Sequence, residues 1–312
     1  MTKSIYQRVT ETLLAQIDGA NPREWACPWH RTGGLPKNGK TGANYRGINI
    51  LGLWCAAQRL GFGDTRWATY RQWQGLGAQV RRGEKGSFVH FYRDMGSSDE
   101  SVEGHDRSAQ GHRRYVMRTS VVFNADQVDG VFNEPAAIPA RTSSTDTFDE
   151  FMTATGAAVR FGGNEAFYCP VRDEIHVPPL NYFNTPEGYT ATLGHELLHW
   201  TGAKSRLSRN LSGRYGELAY AAEELVAEIG SAFLLAGLGL ANTPHPNHAR
   251  YLASWLPLLR KDPRAIFTAA AQASRAVDWL GDITSQATRL STAAAAVQVL
   301  VDGPRAETRS PS

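Results

Sequence analysis

The stretch Thr192-Leu-Gly-His-Glu-Leu-Leu-His-Trp-Thr-Gly202 constrains this chain more than any other. His195, Glu196 and His199 form an H-E-x-x-H pattern with apolar residues between and around them. On an α-helix, positions i and i+4 lie one above the other, so a helical stretch lets both imidazoles reach one ion. Glu196 then sits beside that face, able to touch a water on the ion without taking a ligand position. Zn²⁺ held by neutral imidazoles lowers the pKa of its bound water to about 7, and a neighbouring carboxylate takes the proton as general base. Two histidines make an incomplete zinc site, so the pattern calls for a third ligand from another element.

The segment Tyr220-Ala-Ala-Glu-Glu-Leu-Val-Ala-Glu-Ile-Gly-Ser-Ala-Phe-Leu234 offers one. It has no proline and is rich in strong helix formers. Glu224 and Glu228 share one helical face, while Leu225, Ile229 and Phe233 mark an apolar one. A helix packed antiparallel to the first brings Glu224 to the ion as third ligand. Glu228, one turn on, can accept the free N–H of a ligand histidine and so fix its tautomer. Glu223 is the competing ligand assignment. Structural zinc usually has four protein ligands, so a site with three keeps an open, catalytic position. Zn²⁺ is the expected metal, with Mn²⁺ and Co²⁺ as alternatives. The arrangement resembles the gluzincin metallopeptidases, which pair H-E-x-x-H with a downstream Glu and a second acid four residues later.

The rest of the chain has a different chemistry. Residues 1–93 carry 14 Lys/Arg against 5 Asp/Glu, residues 94–140 carry 4 against 8, and residues 141–312 carry 15 against 17. The net +3 of the whole therefore conceals a first third at +9, the footprint of a nucleic-acid-binding module. Aromatic and basic residues interleave there, which suits single-stranded DNA: rings stack on bases, and cations follow the backbone without reading sequence. The candidates are Lys37, Lys40, Tyr45, Arg46, Trp67, Tyr70, Arg71, Trp73, Arg81, Arg82 and Lys85, with Trp25 and Trp29 beside them. At least half of these aromatics are expected to be core. Nothing reads as a zinc finger or a helix-turn-helix, so duplex DNA is expected to bind only weakly and without sequence preference.

Hydrophobic content of 42% and charged content of 20% fit a soluble globular chain. No apolar run approaches the roughly 20 residues of a membrane span, and the N-terminus has no signal-peptide core. Cys27, Cys55 and Cys169 are too few and too scattered for a disulfide framework. The expected location is the cytoplasm, with no membrane partner.

In chain order, the spacing predicts helices over 5–17, 48–60 and 69–77, and a hairpin over 78–92 turning at 82–86. Residues 94–114 read as a mobile insertion, 115–123 as a strand and 128–132 as another. This first unit, 1–135, is joined by a linker at 136–145 to a second at 146–295, and 304–312 reads as a disordered tail. The second unit opens with a helix capped by Asp146, followed by short strands at 159–161, 166–169 and 173–177. The third of these is the candidate edge strand for β-addition of a peptide. Two further helices are predicted at about 246–260 and 263–286. The fold class is α+β in two domains.

Five separated motifs in order resemble the ArdC-type antirestriction proteins of conjugative plasmids. They are Asn44-Tyr-Arg-Gly-Ile-Asn-Ile-Leu51, Trp67-Ala-Thr-Tyr-Arg-Gln-Trp73, Val80-Arg-Arg-Gly-Glu-Lys-Gly86, Gly194–Gly202 and Tyr220–Glu228. Residues 94–114 fall outside the likeness. The resemblance implies a single-stranded-DNA-binding domain followed by a zincin-like metallopeptidase domain. It also implies protection of incoming plasmid DNA from host restriction enzymes, with those enzymes as candidate partners. Two functional classes follow: a restriction-blocking DNA-binding protein carrying a peptidase-like site, and a DNA-tethered metalloprotease.

Overall fold

A computed structural model describes residues 34–94, 115–130, 144–240 and 248–301, with residues 6, 7, 9–11 and 14 of a helix near the N-terminus. Trp25, Trp29, the body of the 94–114 insertion, the linker before residue 144 and the tail lie outside the described residues.

The first half is a mixed sheet with one helix across it. Strands β1 (Lys37–Asn38), β2 (Arg66–Ala68), β4 (Ser87–Asp94) and β5 (Tyr115–Asn124) stand in the order β1-β2-β5-β4. Helix α1 (Ile48–Leu60) packs on this sheet and ends at Gly61, whose φ of 74° suits only a residue without Cβ. Helix α2 (Tyr70–Gln74) opens with a capping box between Thr69 and Gln72.

The predicted hairpin over 78–92 is not formed. Strand β3 (Gln79–Val80) pairs instead with β6 (Val128–Asp129), and β4 pairs with β5 from Ser87↔Val122 to Asp94↔Tyr115. Period-2 alternation correctly marked β4 as a strand, but it identifies faces and not partners. Val80 and Val128 close a small separate core with Trp73, which rewards the longer connection.

The second half contains α3 (Ser144–Thr155), α4 (Pro186–Thr201), the short α5 (Ser212–Tyr215), α6 (Ala219–Gly237), α7 (His248–Lys261) and α8 (Ala265–Val301). Asp146 lies inside the first turn of α3 rather than at its cap, where a carboxylate still favours the helix dipole. Strands β7 (Ala158–Phe161), β8 (Phe167–Cys169) and β9 (Glu174–Val177) stand in the order β7-β9-β8. The expected edge strand, β9, is therefore central, and β8 is the edge beside α4. Ile175 and Val177 explain this, because both are fully buried under α4 and only a middle position covers them.

Helix α6 is packed by α4, α7 and α8, and is buried almost all round rather than on one face. Its neighbour α8 presents Ala269, Ala270, Ala273 and Ala276, and this absence of bulk lets the two helices approach closely. The larger apolar core unites the halves. Leu53, Trp54 and Trp67 belong to one cluster with Leu225, Ile229, Phe233, Trp255 and Ile266. Trp54 meets Phe233 edge-on, with ring centroids 5.7 Å apart. Among the described residues no helix is long and apolar enough to cross a membrane.

Candidate metal centre

Helix α4 begins with Thr185 as cap, its hydroxyl accepting from Gly188 N at 3.0 Å, and Pro186 at the first helical position. Its far end carries His195 and His199. As α4 advances through Ala191, His195 and His199, the facing residues on α6 recede through Ser231, Glu228 and Glu224, so the two helices run antiparallel.

Two glycines permit this approach. A Cβ on Gly230 would lie 2.5 Å from Leu198 Cδ1, and one on Gly194 would lie 2.8 Å from Ser231 Oγ. Leu198 is fully buried and has nowhere to go. Gly230→Ala is accordingly expected to destabilise the fold by about 1–3 kcal/mol through overpacking. It should also weaken divalent-metal binding, measured by thermal melting with and without added metal. An alanine variant that melts and binds like the parent would show that the helices are not held at this spacing.

The juxtaposed atoms suit a metal ion. His195 Nε2 lies 3.1 Å from His199 Nε2 and 3.2 Å from Glu224 Oε2, and His199 Nε2 lies 3.6 Å from Glu224 Oε1. Ligand atoms about 2.0–2.1 Å from a tetrahedral ion stand about 3.3–3.4 Å apart, which is the spacing seen. One ligand atom from each of the three residues fits within 4.8 Å of the others.

The remaining ring nitrogens face carboxylates. His195 Nδ1 is 3.5 Å from Glu228 Oε2, and His199 Nδ1 is 3.3 Å from Glu223 Oε1. An Nδ1–H in each ring would hold the tautomer whose Nε2 lone pair points at the shared position. Glu223, the competing ligand in the sequence reading, thus lies behind His199. Arg209 secures it there, donating to Glu223 through Nε at 2.8 Å and through Nη2 at 2.5 Å. The same buried guanidinium donates to the carbonyl of Leu198 near the end of α4.

The electrostatics point the same way. Burial lowers the His195 pKa, but hydrogen bonds to Glu224 and Glu228 outweigh it and push the group up to about 10. His199 is also raised, again against burial, by Glu223 and Glu224. Burial raises Glu223, yet Arg209 and His199 bring it down to about 2, and the two histidines depress Glu224 as well. Carboxylates surrounding neutral imidazoles leave an excess of negative charge, and a cation at the shared Nε2 position relieves it.

Glu196 is buried and points away from these ligands toward the sheet. Its Oε2 accepts the backbone N–H of Tyr168, in β8, at 2.8 Å. Strand β8 is anchored in turn by Arg206, which donates to Tyr168 Oη at 3.1 Å and to Asp173, and stacks 3.9 Å over Trp200. The basic loop after α4 is therefore largely internal bracing. No spacing rule could have found Arg209, Arg206 or Tyr168, because each is brought in by loop geometry.

The nucleic-acid candidates divide. Tyr45, Trp67 and Trp73 are buried, and each is held by hydrogen bonds inside the fold, among them Tyr45 Oη to Trp67 O at 3.2 Å and Trp73 Nε1 to Phe123 O at 3.0 Å. They cannot present a ring face to a base, and their role is core packing. Lys37, Lys40, Arg46, Tyr70, Arg71, Arg81, Arg82 and Lys85 are exposed. Arg46 pairs with Asp278 across the halves, and Arg81 pairs with Glu84 and Asp129.

The sequence matches the family model for the N-terminal domain of the anti-restriction factor ArdC over residues 3–123, and that for a zincin-like metallopeptidase over residues 146–272. It is 41% identical over 290 residues to the uncharacterized protein y4eC of Sinorhizobium fredii (strain NBRC 101917 / NGR234), covering 91% of this chain and 94% of that one. It is 38% identical over 294 residues to a DNA primase TraC of Escherichia coli, covering 89% of this chain but only 27% of the primase. The metal-free crystal structure of the antirestriction protein ArdC from plasmid R388 superposes with a TM-score of 0.76 at 38% identity, covering 91% of this chain and 99% of that one. Its Mn(II)-bound structure superposes at 0.71 with the same identity, over 90% and 98%. The two-domain α+β fold, the zincin-like second half and these likenesses together place the chain in the ArdC family of antirestriction proteins.

Proposed function

We propose that this protein binds single-stranded DNA and shields incoming DNA from host restriction enzymes, and that it carries a divalent-metal centre of the peptidase type. The observation that carries the metal centre is the convergence of His195 Nε2, His199 Nε2 and Glu224 at the edge lengths of one coordination tetrahedron. These three residues would hold the ion, and Zn²⁺ suits the nitrogen and oxygen donors. Mn²⁺ is the second candidate, supported by the Mn(II)-bound relative. A bound divalent ion would supply Lewis acidity toward a peptide carbonyl.

The chain's own residues do the rest. Glu223 and Glu228 keep protons on the outer imidazole nitrogens. The Tyr168 N–H holds one oxygen of Glu196, which leaves the other to accept a proton and pass it to a leaving amine. Edge strand β8 would align an extended peptide by backbone pairing.

Charge supports the DNA reading, since the first third of the chain is strongly basic and many of its cations are exposed. Full-length protein titrated with a labelled oligothymidylate is expected to bind with log affinity falling linearly against log salt, with a slope of about −0.7 per phosphate contacted. Binding that ignores salt, or no binding, would remove the DNA reading and leave the metal centre standing.

A further inference from the structure

A cavity of about 930 Å³ opens where the two halves meet, away from the metal centre. One wall is the 38–49 loop, another is the rim of β4 at His90 and Phe91, and the third is the start of α8 with Arg264 and Phe267. Arg46, Arg214 and Arg264 line it, and no carboxylate does. The carboxylates that pair with Arg46 and Arg214, Asp278 and Asp262, stand outside the lining. Arg264 lies 5.0 Å over the Tyr6 ring, and the Phe91 ring at the rim is 47% exposed.

The walls are preorganised. The Asn49 amide pairs with both backbone groups of His90, at 2.8 and 2.7 Å, tying α1 to β4. Gly47 N donates to Ser274 Oγ at 2.8 Å, and with the Arg46–Asp278 pair this ties the loop to α8.

Cations without opposing carboxylates select an anion, and an exposed ring beside them selects a planar group. An acidic peptide would use the first feature and leave the second idle. The volume lies in the range of ordinary ligand sites, about 300–1,000 Å³. We infer that this cleft seats a nucleotide of single-stranded DNA, its phosphate against Arg214 and Arg264 and its base against Phe91, so that both halves grip the strand. The inference rests on the DNA reading above and moves the contact from the basic first half to the junction.

The test uses full-length protein and fluorescence anisotropy with a labelled oligothymidylate. The Phe91→Ala/Arg264→Ala double variant alters two exposed residues, and unchanged melting and metal content would show that it is folded. It is expected to bind at least about tenfold more weakly and with a flatter salt dependence. Arg214→Gln should weaken binding in the same direction, and Arg71→Ala/Arg82→Ala on the far turns should change it little. Wild-type binding with an unaffected cleft variant would overturn the inference while the DNA reading stands. Failure of the wild type to bind would overturn both. Thymidine monophosphate competing as well as the oligonucleotide would overturn the strand assignment in favour of a free-nucleotide site.

Discussion

Glu196→Gln is expected to abolish peptide hydrolysis while leaving the metal content of the protein unchanged. Glutamine has the shape of glutamate, and its carbonyl oxygen can still accept the Tyr168 N–H that holds Glu196 at 2.8 Å. It cannot take up a proton at working pH. Removal of a positioned general base lowers rates by about 10²–10⁴-fold. His195, His199 and Glu224 are untouched by the change, so metal per chain, measured by elemental analysis, should match the parent. Loss of the metal in this variant would mean that Glu196 holds the site together rather than moving protons. The same variant separates the two functional classes in cells, at equal expression. If protection from restriction disappears with hydrolysis, the protein works by cutting something. If protection persists, the DNA-binding surface carries it, and the metal centre serves the fold or another task.

Trp54→Ala is expected to be the most destabilising of the single changes considered, by about 3–5 kcal/mol. Trp54 is almost fully buried, meets Phe233 edge-on, and belongs to the cluster shared by α1, α6, α7 and α8. Domains typically have only about 5–15 kcal/mol of net stability, so this is a large fraction. Because the cavity would open against α6, the helix that carries Glu223, Glu224 and Glu228, the damage should reach the metal centre. Tryptophan fluorescence and metal release, followed together through a urea titration, should report one transition that shifts as a unit. Two separate transitions, with only the first displaced, would show that the halves unfold independently.

The parts of the molecule legible in the sequence were those with local periodicity. The H-E-x-x-H spacing requires a helix, and the four-residue step from Glu224 to Glu228 requires another, so their faces could be read before their packing was known. The parts that escaped depended on partners far along the chain. Strand β3 alternates as a hairpin partner of β4 would, yet it pairs with β6 because Trp73 needs Val80 and Val128 to close its core. Tyr45, Trp67 and Trp73 lie among basic residues, and the sequence did not reveal that their rings face inward. Strand β9 was taken for an edge because its length and prolines fit one. Its central position follows from the burial of Ile175 and Val177 under α4. The pairing of Glu223 with His199, backed by Arg209, needed the path of the loop between α4 and α6.

The joint core also governs how the chain is born. Leu53 and Trp54 leave the ribosome long before Phe233, Ile266 and Ala273, which complete their packing. At roughly 5–20 residues per second, the first half must wait on the order of ten seconds or more with this apolar surface uncovered. The nascent first half therefore passes through a stage in which it can bind chaperones or aggregate. It becomes competent only when α8 is delivered, near the end of synthesis.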